Sequence, residues 1–321
     1  MKAVTAWMEN RYNWKVQPEW VVHSPGVVPG LAFAINALTD PGDKVVIQPP
    51  VYPPFYAVIE ENGRTVAESP LVEANNKFTM DFESLESHFS SGVKYMILCS
   101  PHNPVGRVWD KEELQHLARL AVQYEIIIFS DEIWSDLVFS GHRHIPLASI
   151  SPQIADRTLT FMAPSKTFNL AGFYLSNIVI PNHELREQFC AQIKRLGLTH
   201  LNVFGLVAGE AAYRHGEMWL KQLLAYLEKN ARYVARKMSK ITSKIKVVEP
   251  EGTFVLWLDC RQLGIPSQEL NNFFVSEAGI AFNDGVIFGA AGQGFQRMNI
   301  GCPRALIDQA LERIAAALKS L

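Results

Sequence analysis

The 321-residue sequence has no apolar run close to the roughly 18 to 20 residues that a membrane-crossing helix needs. Its opening, MKAVTAWMENRYNW, lacks the continuous apolar segment of a secretory leader. Cysteine is sparse. Cys99, Cys190, Cys260 and Cys302 are scattered with no CxxC pair, and they read as reduced, mostly buried thiols of a cytoplasmic protein. An excess of one charge is lacking too. Lys and Arg number 30 against 32 Asp and Glu, a formal net charge of −2, so there is no broad basic field for nucleic acid or an anionic membrane. No repeat, low-complexity tract or GxSxG elbow is present. The expectation is a cytoplasmic globular chain with neither a nucleic-acid nor a membrane partner.

What is present is an ordinary globular balance, 48% apolar and 19% charged, in a chain long enough to bury a large core in two lobes. Apolar runs at Lys44–Gln48, Tyr95–Ser100, Ile126–Ser130 and Leu159–Ala163 read as strands. Helical patterns lie between them, as in Lys111–Tyr124, where Leu114, Leu117, Leu120 and Ala121 share a face. Strands alternating with helices predict an α/β fold, a mainly parallel sheet with helices on both faces. Three helices are expected over 183–196, 203–215 and 217–242. After Lys246 the pattern turns to short strands, among them Gly279–Phe282 and Phe295–Ile300, and predicts a smaller α/β lobe.

One stretch organises the chemistry: Leu159–Gly172, LTFMAPSKTFNLAG. A lysine just past a buried strand is poorly solvated, and burial favours its neutral, nucleophilic amine. Upstream, Tyr95–Gly106 (YMILCSPHNPVG) ends in an Asn-Pro turn, and IIIFSDEI ends its apolar run at Asp131. Ligands on such sheets sit beyond the carboxyl ends of the strands, so one cleft is expected to hold Asn103, Asp131 and Lys166. Far downstream, FQRMNIGCP places Arg297 among Phe295, Met298 and Ile300, which favours a partner for its charge. Near the start, SPGVVPG precedes an apolar helix expected at Leu31–Leu38; free N–H groups at such a helix start suit a phosphate. The GAAGQG run at 289–294 has no P-loop lysine and reads as a flexible loop beside Arg297. His142 and His144 in GHRH lack further ligands at metal-site spacing and read as solvated.

The ordered set Asn103, Asp131, Lys166 and Arg297 resembles the fold-type I enzymes that use pyridoxal 5′-phosphate, the class I and II aminotransferase superfamily. The wording SPHNPVGRVW, DEIWSDLVF, APSKTFNLAG and RMNIGCPR is similar to one branch of it, the cystathionine β-lyase or C–S lyase enzymes, which includes a lyase-like repressor of a maltose regulon. The resemblance runs from about Trp7 to the end. It implies a seven-stranded-type sheet in a large cofactor-binding domain, 21–240, with a small domain at 241–321 and a remnant of that small domain at 1–20.

The resemblance also implies roles. Lys166 holds the cofactor covalently and is the catalytic base. Asp131 supports the pyridine nitrogen, Asn103 bonds the phenolic oxygen, and Tyr52 and Ile133 lie against the two ring faces. Ser165 and the turn at Val27 and Val28 hold the phosphate, Trp134 lines the cofactor pocket, and Arg297 clamps the carboxylate of a small-molecule amino-acid substrate. A homodimer is implied as well. Three features depart from the aminotransferase pattern: Ala163 and Tyr174 replace phosphate ligands and favour the lyase branch, and Trp134, unlike Tyr or His, is neither acid nor base at neutral pH. The resemblance further implies a longer front segment, so that the chain reads as truncated before Met1. Three activities stay open: a C–S β-lyase acting on cystathionine or related S-conjugates, an aminotransferase, and an impaired relative with a regulatory binding role.

Overall fold

The computed structural model describes residues 1–74 and 76–321. Helix α1 (Lys2–Tyr12) leads to edge strand β1 (Val21–Ser24) and α2 (Val27–Leu38). Then follow β2 (Lys44–Ile47), α3 (Pro54–Glu60), β3 (Thr65–Glu68), the hairpin β4 (Val72–Ala74) and β5 (Lys77–Thr79), and α4 (Phe82–Ser90). Strand β6 (Tyr95–Cys99), α5 (Lys111–Gln123), β7 (Ile127–Asp131), the short α6 (Pro152–Ala155), β8 (Thr158–Met162), the one-turn α7 (Pro164–Thr167) and β9 (Ser176–Val179) complete the main sheet. Its order is β1-β9-β8-β7-β6-β2-β3. Strands β3, β2, β6, β7 and β8 pair in parallel, while β9 runs antiparallel to both β8 and β1. The mainly parallel seven-stranded sheet expected from the sequence is therefore present.

Both faces of this sheet are covered, which is why its central strands read as continuous apolar runs rather than alternating ones. Met96 and Leu98 of β6 point into a core shared with Leu114, Leu117 and Ala121 of α5. The intervening Ile97 and Cys99 point the other way, toward Leu31, Ala34 and Ile35 of α2 and Phe189. Helix α5 begins in a reciprocal capping box. Asp110 Oδ1 accepts from the Glu113 N–H at 2.8 Å and Glu113 Oε2 accepts from the Asp110 N–H at 2.9 Å, worth about 1 kcal/mol.

Helices α8 (His183–Arg195), α9 (Val203–His215) and the long α10 (Glu217–Ile241) follow. The second sheet is antiparallel, ordered β10 (Lys246–Val247), β11 (Val255–Asp259), β13 (Phe295–Asn299), β12 (Asn283–Asp284), with α11 (Ser267–Ser276) and α12 (Arg304–Ala317) beside it. Leu256 and Met298 from this sheet share a core with Leu227 and Val234 of α10, with Ile307 and Leu311 of α12, and with Val4, Trp7 and Met8 of α1. Among the described residues, no helix is long and apolar enough to cross a membrane.

The structure corrects three expectations. The helix expected at 31–38 starts four residues earlier, at Val27, because Gly26, at φ 121°, turns the chain directly into it. Gly279–Phe282 is not a strand: Ile280 and Phe282 are partly buried and pack against the core, and the partner of β13 on this side is Asn283–Asp284. The 289–294 run is not an open loop: it contains the 3₁₀ turn Ala290–Gly292, which is pressed so closely on the preceding 3₁₀ turn, Gly285–Phe288, that a Cβ on Gly292 would lie 1.9 Å from the Gly285 carbonyl oxygen.

Candidate active site

A cavity of about 480 Å³ opens beyond the carboxyl ends of the main-sheet strands, with the second sheet as its far wall. Strand β1 delivers Val27 and Val28 to it, β2 delivers Tyr52, β6 delivers Asn103, and β7 delivers Asp131, Ile133 and Trp134. Ser165 and Lys166 arrive after β8 and Arg297 comes from β13. All the site residues singled out in the sequence thus line one cavity.

Asp131 ends a buried strand and is 3% exposed. Burial pushes its carboxyl up to about 7, against the pull of the Ile133 N–H, which donates to Oδ1 at 3.1 Å, and of the nearby Lys166. A buried carboxylate with so little local support is stabilised by a cationic ligand partner. Lys166 sits in the single turn of α7, not in an open loop. Burial lowers its amine's pKa, Asp131 raises it and Arg297 lowers it further. Its Nζ lies 5.6 Å from the centre of the Trp134 ring. That ring meets Phe254 edge-on at 4.6 Å, so an apolar wall stands beside the amine.

Arg297 is held on both sides. Nη1 donates to Asn103 Oδ1 at 2.9 Å, Nη2 to Asn283 Oδ1 at 2.8 Å, and the guanidinium lies 4.8 Å from the centre of the Phe288 ring. Burial lowers its pKa. Asn103, 2% exposed, spends its carbonyl oxygen on Arg297, which leaves the amide NH₂ to donate to a ligand. Tyr52 stands edge-on to Phe55 at 5.8 Å, and burial, then Asp131, raises its phenol pKa. At the start of α2, Gly26 has no side chain to cap the helix, so the first N–H groups there are free for an anion.

His144 corrects the reading of GHRH as solvated. It is buried, and its Nε2 lies 2.8 Å from Glu132 Oε2. Glu132 also accepts from Ser130 Oγ at 2.8 Å and the Leu147 N–H at 3.1 Å, anchoring the segment behind Asp131. Sequence reasoning missed Asn283, Phe254 and Asn299 in the cavity wall, because they come from the second sheet and carry no local pattern. It also missed Asp136. The run DEIWSD looked finished at its first carboxylate, yet Asp136 is buried and receives donors from two distant segments.

The model of the family described as aminotransferase class I and II matches residues 1–314, and the chain belongs to that family. It is 44% identical to cystathionine beta-lyase PatB of Bacillus subtilis (strain 168) over 317 residues, spanning 98% of this chain and 82% of that protein. Among solved structures, cystalysin from Treponema denticola, which contains a pyridoxal 5′-phosphate cofactor, superposes with a TM-score of 0.98 at 38% identity, covering 99% of this chain and 81% of the other. The pyridoxal-phosphate-bound C–S lyase from Staphylococcus hominis superposes with a TM-score of 0.93 at 32% identity, again covering 99% and 81%.

Proposed function

We propose that this protein holds pyridoxal 5′-phosphate at Lys166 and cleaves the carbon–sulfur bond of cystathionine or related cysteine S-conjugates, taking up water and releasing pyruvate, ammonia and a thiol. The observation that carries this reading is the convergence of Lys166, Asp131, Asn103 and Arg297 on one cavity, in a chain this similar to a cystathionine β-lyase. The donor set fits the cofactor group by group. The uncapped start of α2 and Ser165 suit its phosphate, the poorly supported Asp131 carboxylate suits its pyridinium, and the Asn103 NH₂ suits its phenolic oxygen. Tyr52 and Ile133 would flank its ring.

When bound, the cofactor supplies an electron sink for negative charge developing at the substrate α-carbon. Arg297, pre-set by its two asparagines, binds the substrate carboxylate and orients the Cα–H bond. Lys166 Nζ, with its basicity lowered by burial, takes the Cα proton. Asp131, ionised beside a cation, would keep the cofactor's pyridine nitrogen protonated. Trp134 and Phe254 exclude water beside the amine and offer no proton of their own to the thiolate.

Aminotransferase activity is the second reading, because the family match covers both and the same base serves each. The test is the ratio of products. With L-cystathionine or an S-alkyl cysteine, thiol and pyruvate should appear in equal amounts without any 2-oxo acid. Glutamate formed only when 2-oxoglutarate is added, with no thiol, would overturn the lyase reading.

Three further elements belong to this proposal. The division between 21–240 and 241–321 is supported by two separate sheets, one between Val21 and Val179 and one between Lys246 and Asn299, whereas the 1–20 segment bonds to Ser135 and Asp136 and packs on Phe168 and Tyr213 of the larger part. A second copy of the chain is supported by the apolar surface of α9 and its neighbours, where Val203, Phe204, Val207 and Met218 are each more than three-fifths exposed. A reducing, cytoplasmic setting agrees with four unpaired cysteines.

A further inference from the structure

Asp136 lies five residues past Asp131, is 4% exposed and does not line the cavity. Its Oδ1 collects donors from α1: Trp7 Nε1 at 3.0 Å, Arg11 Nε at 2.6 Å and the Tyr12 hydroxyl. Arg11 Nη2 also reaches the Asp136 carbonyl oxygen at 2.8 Å. Its Oδ2 takes a donor from elsewhere, Thr167 Oγ1 at 2.8 Å. Thr167 is fully buried, follows Lys166 directly, and shares with it the single turn of α7. A four-residue helix makes too few internal hydrogen bonds to hold itself, so its geometry depends on such outside contacts.

From these contacts we infer that Asp136 is a positioning residue for Lys166: clamped by α1 on one oxygen, it grips Thr167 with the other and so sets where the lysine amine stands between Asp131 and the Trp134 ring. A carboxylate suits this task better than a neutral group. A charge-assisted bond is short and directional, and three donors on Oδ1 leave Oδ2 one orientation from which to reach Thr167. The two aspartates of DEIWSD then work from one segment. Asp131 meets the ligand, and Asp136 fixes the turn carrying the residue that reacts with it.

The inference rests on Lys166 holding the cofactor, and the test separates the two. Thr167→Val removes the hydroxyl and keeps the shape, Thr167→Ser keeps the hydroxyl, and Trp7→Phe removes one α1 donor while Tyr12 and Arg11 still hold Oδ1. In the cofactor-loaded protein, the pH midpoint of the cofactor absorption band reports the environment of the lysine nitrogen, on which Asp131 and Arg297 act, with Tyr52 and Cys99 lining the same cavity. Burial lowers that midpoint, so loosening α7 raises it. Thr167→Val should raise it by about half a unit or more and lower kcat about tenfold, with KM within about twofold of the parent. Thr167→Ser should restore both. Trp7→Phe should lower the melting temperature and leave the midpoint in place, and Asp136→Asn should shift the midpoint in the same direction as Thr167→Val. A parent that shows the band while Thr167→Val keeps both its midpoint and its kcat would overturn the inference alone. A parent with no band reducible onto Lys166 would overturn the cofactor reading and this inference with it.

Discussion

Arg297 of the second sheet donates across 2.9 Å to Asn103, in the turn that follows β6 of the main sheet, and Asn283 takes its other terminal nitrogen at 2.8 Å. The guanidinium is therefore oriented before any substrate arrives, and the two sheets meet at the point where a carboxylate would bind. Pre-set groups of this kind spend less ordering entropy on binding.

Replacing Arg297 with Ala should raise KM strongly, by about 100-fold, with a smaller fall in kcat, because the group both binds and orients. Arg297→Lys should fall between, since it keeps the charge and loses the fork. Asn283→Ala should raise KM about five- to tenfold through loss of one support. Steady-state kinetics on one S-conjugate checks all three, and an unchanged KM in Arg297→Ala would remove this residue from the site.

For the cofactor-holding lysine, the purified protein should be yellow, and borohydride should abolish the band and fix a pyridoxyl group on Lys166. Peptide mass analysis locates it. Lys166→Ala should lose the covalent link and essentially all turnover, by several orders of magnitude. A pyridoxyl group found on another lysine would contradict the assignment.

Asp131 makes a prediction about stability. Its carboxyl is raised from the usual 3.8 to about 7, so between those values the folded cofactor-free protein holds a proton that the unfolded chain releases. Stability from this group is present below about pH 4 and lost as the pH rises to 7, on the order of 4 kcal/mol in all. His102, lowered to about 4 by burial, acts in the opposite direction over part of that range, so the parent's curve alone is not diagnostic. The difference between Asp131→Asn and parent apoprotein isolates the contribution of this carboxyl. The variant should gain relative stability steadily from pH 4 to 7 in denaturant melts, while its loaded form turns over several orders of magnitude more slowly than the parent. Parallel stability curves across that range would show that Asp131 is not buried as an unsupported acid.

The exposed face of α9 should be the contact with a second copy. Phe204→Glu combined with Val207→Glu places charge on two residues that are 70% and 64% exposed. Light scattering should show the parent as a dimer and the variant shifted toward monomer, with the melting profile of the isolated fold little changed. A parent that is monomeric at micromolar concentration would count against the proposed contact.

Much of the site was legible because strand ends are legible. Ile126–Phe129 and Leu159–Ala163 lie in the covered sheet and read as mostly apolar runs, so the polar residues that follow, Ser130 and Asp131 after the first and Ser165 and Lys166 after the second, mark the carboxyl ends. The residues that escaped notice have no such local marker. Asn283 follows an apolar stretch that resembles a strand but is not one. His144 is ordinary in GHRH until Glu132 meets it at 2.8 Å in the interior.

What the sequence by itself determined is the alternation of elements and the order of the chemical groups along them, because side-chain period and burial leave their pattern in neighbouring residues. Only the tertiary structure decided which groups meet. Trp7, Tyr12 and Thr167 converge on Asp136 across gaps of 129, 124 and 31 residues, and Arg297 reaches Asn103 across 194. Such pairings depend on how two sheets and a leading helix pack. That packing is chosen by the total apolar surface buried and by the pairing of buried polar groups, which no short stretch of the chain records on its own.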